Sequence, residues 1–412
     1  MDMKHTNKLS FLLMITAMLC ISILGSVSAA DTGNNTTTDN TTLNTTNTTG
    51  LADTPWPKYQ GNNNNTGQSQ YNGPQTNTTK NITTNLTQIC GISNAVVDAN
   101  GTIYITSLNT VAAYGADGTF KWSTTTSFSS ATMRGMALGS DGNLYVLAGL
   151  YLTAFNTTNG TIEWYISTGK INPYGITIAN NTLYLGGSTA LAAYSLNGTQ
   201  IWTSAANTVA KQNSPAVGAD GTIYVRSTTT LYAVNPADGT VKWTATVGSG
   251  YSSPVIGSDG TIYVAGTGML YAVNPDGTSK WNATITGMST PYSLAIASDG
   301  TIMVIGGSTL YAVSSNGTVK WTASNVNIGA NVIVGADGIV YSGGGLGVYA
   351  YNPDGTIKWM YTNNVTSLGS AITNKVLALG SDGTLYTTVS SPYRNSLYLI
   401  KDVVPVAGFT AG

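Results

Sequence analysis

The feature that most constrains this chain is a three-part unit that returns about every 40 residues from Gly101 onward. One copy reads Asp220-Gly-Thr-Ile-Tyr-Val, then Leu231-Tyr-Ala-Val-Asn, then Asp238-Gly-Thr-Val-Lys-Trp243. It recurs at Asp259 to Trp281, Asp299 to Trp321 and Asp337 to Trp359, and looser copies begin at Gly101, Asp141, Asn181 and Asp382. Repetition at this period signals supersecondary units that bury their faces only against neighbours. Each unit reads as four short strands: an apolar run such as Pro215-Ala-Val, then Thr222 to Val225, Leu231 to Val234, and a last strand ending in Trp243. Asp-Gly turns supply the positive φ angles that hairpins need, and β-branched and aromatic residues alternate between them. No stretch carries a helical period. Four antiparallel strands per repeat make one blade of a propeller. The spacing therefore predicts an all-β chain, an eight-bladed β-propeller of four-stranded antiparallel blades. The Trp that closes each last strand, at 122, 164, 202, 243, 281, 321 and 359, is placed to pack between blades.

The ends of the array predict how the ring closes. Eight second and third strands are visible, but only seven Trp-terminated fourth strands follow them. Blade eight stops at Leu397 to Ile400. Thr76 to Thr83 lies where a fourth strand would precede blade one, with Lys80-Asn81 in place of Lys-Trp. A ring closed by this N-terminal strand has no free edge at the join.

Composition removes most chemistry. Only 8% of the 412 residues are charged, with a net charge of -1, so no concentrated basic patch suits nucleic acid. The one histidine is His5, the one glutamate Glu163, and the cysteines are Cys20 and Cys90. No His-dependent triad, His-ligated metal or Cys-x-x-Cys site can be assembled from these. Lys4 and Lys8, the apolar run Leu9 to Leu24 and Val27-Ser28-Ala29 read as a signal peptide over residues 1–30, with a retained anchor as the alternative. Between Asp31 and Thr54, 16 of 24 residues are Asn or Thr, which reads as a disordered stalk. It carries glycosylation acceptors at Asn34, Asn35, Asn40, Asn44 and Asn47, and others fall at Asn156, Asn197, Asn282 and Asn316. The propeller spans 55–402 and a tail 403–412. An exported, cell-surface or extracellular protein is expected, without a membrane span once the signal is removed. Cys90, left alone, reads as a buried inert thiol.

The unit Asp-Gly-Thr-Ile-Tyr-Val … Leu-Tyr-Ala-Val-Asn … Asp-Gly-Thr-x-Lys-Trp resembles the repeat of pyrroloquinoline-quinone-type propellers. The lead-in Trp56-Pro-Lys-Tyr-Gln-Gly … Thr66-Gly … Gly73-Pro-Gln-Thr resembles the start of such domains, and the likeness covers roughly Trp56 to Ile400. Pro405-Val-Ala-Gly-Phe-Thr-Ala is similar to the first strand of PKD-type modules. The resemblance implies one of two branches: quinoprotein dehydrogenases, or non-catalytic propellers of the cell envelope. The dehydrogenases need an adjacent-cysteine disulfide, a calcium site with Glu, Asn and Asp ligands, and a catalytic Asp. Here Glu163 sits beside Trp164 on an outer strand, and ten of the aspartates precede glycine in turns. Fold alone does not decide function. The residues favour a non-catalytic module with no cofactor, no metal and no catalytic residue. The alternatives are a quinone-dependent oxidoreductase with a degenerate site and a purely structural envelope component.

Sorting charges by strand connection predicts where such a module binds. Loops joining first to second and third to fourth strands share one face of a propeller. They hold Asp98 and the Asp-Gly aspartates. The remaining connections share the other face and hold Arg134, Lys170, Lys211, Arg226, Lys375 and Arg394. Turn chemistry accounts for the acidic face. A one-signed rim at a channel mouth favours anionic ligands. The expected ligand-binding residues are Arg134, Tyr174, Lys211, Arg226, Tyr251, Tyr292 and Arg394. The expected partner is an acidic glycan, a wall polymer or an envelope protein, met by a monomer.

Overall fold

A computed structural model of the chain describes residues 50–82, 92–107, 109–128, 133–171, 173–204, 214–324, 326, 331–343, 347–362, 373–390 and 395–402. The chain divides into Met1–Thr42, which lies outside the described residues, and Leu43–Gly412, which carries the whole fold. The signal-peptide, stalk, Cys90 and tail assignments fall mainly on residues that are not described. No helix among the described residues is long and apolar enough to cross a membrane.

Eight four-stranded antiparallel sheets follow one another, each a blade. Blade one, for example, is Ile92–Val97, Ile103–Ser107, Thr110–Tyr114 and Phe120–Thr125. Apart from the short 3-10 turn Gly169–Ile171, the described elements are strands. The eighth sheet joins Thr373–Leu379, Leu385–Ser390 and Asn395–Ile400 to Thr79–Ile82, with Thr79 opposite Ile400 and Ile82 opposite Leu397. The N-terminal strand thus closes the ring.

Each part of the repeat has a visible physical reason. In the turn after the first strand of blade four, Gly221 adopts φ 82°. Asp220 accepts from the Thr222 amide at 3.0 Å and from its hydroxyl at 2.6 Å. Lys242, from the outer strand, donates to the Thr222 hydroxyl at 2.6 Å. Blades five and six repeat the set, with Lys280 on Asp259 and Lys320 on Asp299. In blade eight the ammonium on Asp382 comes from Lys401, just past the third strand. Blade three lacks the Gly, and Asn180 and Asn181 take the positive φ angles instead.

The tryptophans tie blade to blade. Trp202 donates to Pro236 O at 2.8 Å, Trp243 to Pro275 O at 2.9 Å and Trp321 to Pro353 O at 2.9 Å, each carbonyl lying in the last turn of the next blade. The glycine of that turn lies on the indole face, where a Cβ on Gly355 would come within 2.6 Å of Trp321. Trp359 donates to Pro74 O at 2.9 Å, so the N-terminal segment supplies blade eight's acceptor as well as its strand. Inner strands are buried on both faces, whereas outer strands alternate. The cores accordingly lie between blades. One of them joins Trp56 to residues of blades seven, eight and one across the closure.

Candidate functional site: a plugged axis and a bulged mouth

The lead-in from Gly50 to Gln75 runs across the inner strands. Trp56 pairs with Val97, and Pro57 O accepts from Leu138 N. Farther on, Asn63, Asn64, Thr66 and Gly67 carbonyls accept from the amides of Val217, Ile256, Ile296 and Val334 at 2.7 to 2.9 Å. Each of those six partners is the last residue of its inner strand. Because an Asp-bearing turn follows each of these six strands, the segment closes the axis at the Asp-Gly end. Side chains reinforce it: Asn65 Nδ2 donates to Ser214 O and Pro254 O at 3.1 Å, and Gln60 Nε2 to Leu294 O at 2.7 Å. Gly67 is required here, since a Cβ would sit 2.8 Å from that of Ala295.

Lys58 is fully buried within this plug. Its ammonium donates to Tyr59 O and Asn62 O at 3.0 Å and to Asn65 Oδ1 at 2.5 Å. Burial lowers its pKa to about 7. Three acceptors for three donors work against that shift by favouring the charged form.

At the opposite end, where inner strands begin, the ladder is irregular in the same place blade after blade. The register slips between Ile92 and Asn94, Met133 and Gly135, Pro173 and Gly175, and Pro291 and Ser293. The extra residues are Ser93, Arg134, Tyr174 and Tyr292. In blade eight the slip spans Lys375 and Val376. Bulges re-aim side chains and recur beside functional sites. Here they gather around the mouth opposite the plug. Arg134 lies over the Tyr174 ring, 4.2 Å from its centroid, joining blades two and three. Tyr251, in the connection from blade four to five, is 38% exposed.

Arg226 is different. The rim assignment fails for it, because its side chain is fully buried. Its guanidinium donates to Ala265 O and Gly248 O at 2.6 Å, to Thr228 O at 3.1 Å and to Ser252 Oγ at 3.2 Å. Burial lowers its pKa to about 10, so it remains charged at neutral pH. It is a cation that stitches blades four and five through carbonyl oxygens. Gly250 is the sequence signal, as a Cβ there would lie 3.3 Å from the guanidinium nitrogens. Lys211 and Arg394 lie outside the described residues. The expected set therefore reduces to the Arg134–Tyr174 pair, with Tyr251 and Tyr292 elsewhere at the same end. The plug was absent from that set.

The donor set does not suit a calcium-bound quinone. Glu163 lies on the outer strand Ile162–Ser167 and accepts from Asn156 Nδ2. Aspartates 98, 117, 141, 220, 238, 259, 276, 299, 337, 354 and 382 accept bonds within their own turns. Among the described residues, no three His, Cys, Asp or Glu side chains gather as metal ligands would.

Residues 187–325, from blade three into blade six, match the family described as outer membrane protein assembly factor BamB. No curated protein matches the sequence. Among solved structures the chain resembles quinohemoprotein alcohol dehydrogenase from Comamonas testosteroni, with TM-score 0.69 and 13% identity over 87% of this chain and 82% of that one. It also resembles BamB from Moraxella catarrhalis, with TM-score 0.61 and 15% identity over 79% and 99%. Virginiamycin B lyase from Staphylococcus aureus follows, with TM-score 0.51 and 11% identity over 79% and 99%. At these identities the likeness concerns fold. Taken with the repeat and the strand order, it makes the chain an eight-bladed β-propeller, whose residues 187–325 match the pyrroloquinoline-quinone-type repeat of the assembly-factor family.

Proposed function

We propose that this protein is an exported, non-catalytic propeller that binds an anionic envelope component at the bulged mouth. The observation that carries this reading is the difference between the two ends. The Asp-Gly end is blocked by the plug, and the described chain also leaves from there. Gly50 O accepts from Ser140 N in the first turn of blade two, and Asp402 accepts from Gln75 and Thr76. Among the described residues no terminal segment leaves from the other end, which carries Arg134 and three tyrosines. A guanidinium backed by an aromatic face suits planar carboxylate or phosphate groups. The spent aspartates support binding over catalysis, and the match to an assembly factor supports an envelope setting.

The test uses purified protein with polygalacturonate and polyglutamate as anionic probes in parallel. Arg134→Glu and Tyr174→Ala should each weaken binding at least tenfold, with unchanged thermal unfolding. Preference for one probe assigns the ligand to glycan or protein. Undiminished binding by both variants would remove the mouth from consideration.

A further inference from the structure

In a repeat protein, departures from the repeat that converge in space are informative. Blade two has three. Tyr151 opens its third strand, where other blades have Thr110, Thr230 or Thr309, and no other blade has an aromatic there. Tyr165 follows Trp164, at the position of Ser123, Thr203, Thr244 and Thr322, again the only aromatic. Phe128 lies in the connection that enters the blade.

The three rings meet. Phe128 and Tyr151 stack with centroids 4.1 Å apart and planes 10° from parallel. Tyr165 lies edge-on to Phe128 at 5.2 Å. Tyr165 remains 57% exposed, and Leu150, in the hairpin before Tyr151, 45%. The hairpin is fixed from below, as Thr168 donates to Leu150 O through its amide at 2.7 Å and its hydroxyl at 2.8 Å. The Phe128–Tyr151 pair thus braces an outward ring whose counterparts after the other outer-strand tryptophans are Ser, Thr, Asn or, in blade seven, Met360.

The size of the patch identifies what it fits. An aromatic side chain offers about 150–250 Å², so the exposed parts of these four residues total roughly 300 Å². A stable protein complex needs about 800 Å² on each side. The patch lies far below that and matches one or two sugar rings. Ser167, opposite Tyr151 in the ladder and two residues from Tyr165 on the same face of its strand, adds an uncharged hydroxyl beside the rings. We propose that Tyr165, braced by Phe128 and Tyr151, is a stacking subsite for a neutral hexose unit of a glycan. Its axial C–H groups lie on the ring and its hydroxyls face Ser167.

This inference stands on its own observations and does not depend on the charge at the mouth. The probes are cellohexaose, maltoheptaose, chitohexaose and mannohexaose, read by saturation-transfer NMR and by isothermal titration with the intact ring. At least one should bind, with saturation transfer from aromatic protons. Tyr165→Ala should weaken it at least fivefold, while Tyr165→Phe keeps binding within twofold and Arg134→Ala leaves it unchanged. Tyr165 is exposed, so unchanged unfolding of Tyr165→Ala serves as the folding control. Failure of all four sugars to bind at 10 mM, or equal binding by parent and Tyr165→Ala, overturns the proposal.

Discussion

Two glycines with nearly the same backbone isolate what the blade seams contribute. Gly355 has φ +88° and Gly142 φ +81°. A Cβ on Gly142 meets nothing within 4 Å, whereas one on Gly355 would sit 2.6 Å from the Trp321 ring. Alanine at either position bears the left-handed penalty of about 1–2 kcal/mol. At Gly355 it must also displace the indole. The bond from Trp321 Nε1 to Pro353 O, 2.9 Å long, is then lost at about 1 kcal/mol. Overpacking at the seam adds about 1–3 kcal/mol. Gly355→Ala should therefore lie about 2–4 kcal/mol below Gly142→Ala. For a ring of this size 1 kcal/mol corresponds to about 2 °C, so their melting points should differ by roughly 4–8 °C. Calorimetry measures this, and tryptophan emission should shift to the red only for Gly355→Ala. Equal destabilisation would show that the turn glycine serves backbone conformation alone, and the seam argument would fall.

Three further outcomes follow from the same packing. Removing residues 31–49 should leave the melting point unchanged, while removing 31–85 should abolish cooperative unfolding, since it takes away the plug and the closing strand together. Lys58, with a folded pKa near 7 against 10.5 when unfolded, leaves the unfolded chain holding the extra proton between those values. Stability should then rise from pH 7 towards pH 10, at most by about 1.4 kcal/mol per pH unit, and urea titrations of Lys58→Met should lack that rise. Above pH 10 the sign reverses, because buried hydroxyls such as Tyr145 and Tyr341 stay protonated when folded. Arg226→Ala strands buried carbonyls and should cost about 3–5 kcal/mol, whereas Arg134→Ala should stay within about 0.5 kcal/mol of the parent; similar losses for both would contradict their assigned roles.

Blade number, strand order and closure were legible because the repeat writes its own geometry. Asp-Gly turns require their residues, and a Trp on each outer strand needs the next blade's turn. The absence of a Trp after Ile400 pointed to Thr79–Ile82 for the same reason. The plug was not legible. Lys58, Asn63 and Asn65 are polar and aperiodic, and such a stretch reads as a solvated loop until the axis it fills is known. Arg226 was misplaced because connection topology assigns a residue to an end of the ring but not to its surface. The bulges left a faint mark: Arg134, Tyr174 and Tyr292 each follow Met or Pro and precede Gly or Ser. That pattern means little without the ladder that breaks around it.

Closure by the N-terminal strand also sets an order of events. Thr79–Ile82 must wait for Leu397–Ile400, some 320 residues later, and Pro74 waits in turn for Trp359. The residues synthesised first are completed by those synthesised last. Contacts so distant along the chain are slow to form, and until they do, both Thr79–Ile82 and the third strand of blade eight present open edges that invite pairing with other chains. Although its blades are repetitive, the ring is thus all-or-none in length. A chain that stops short of residue 400 has every earlier blade and still cannot close.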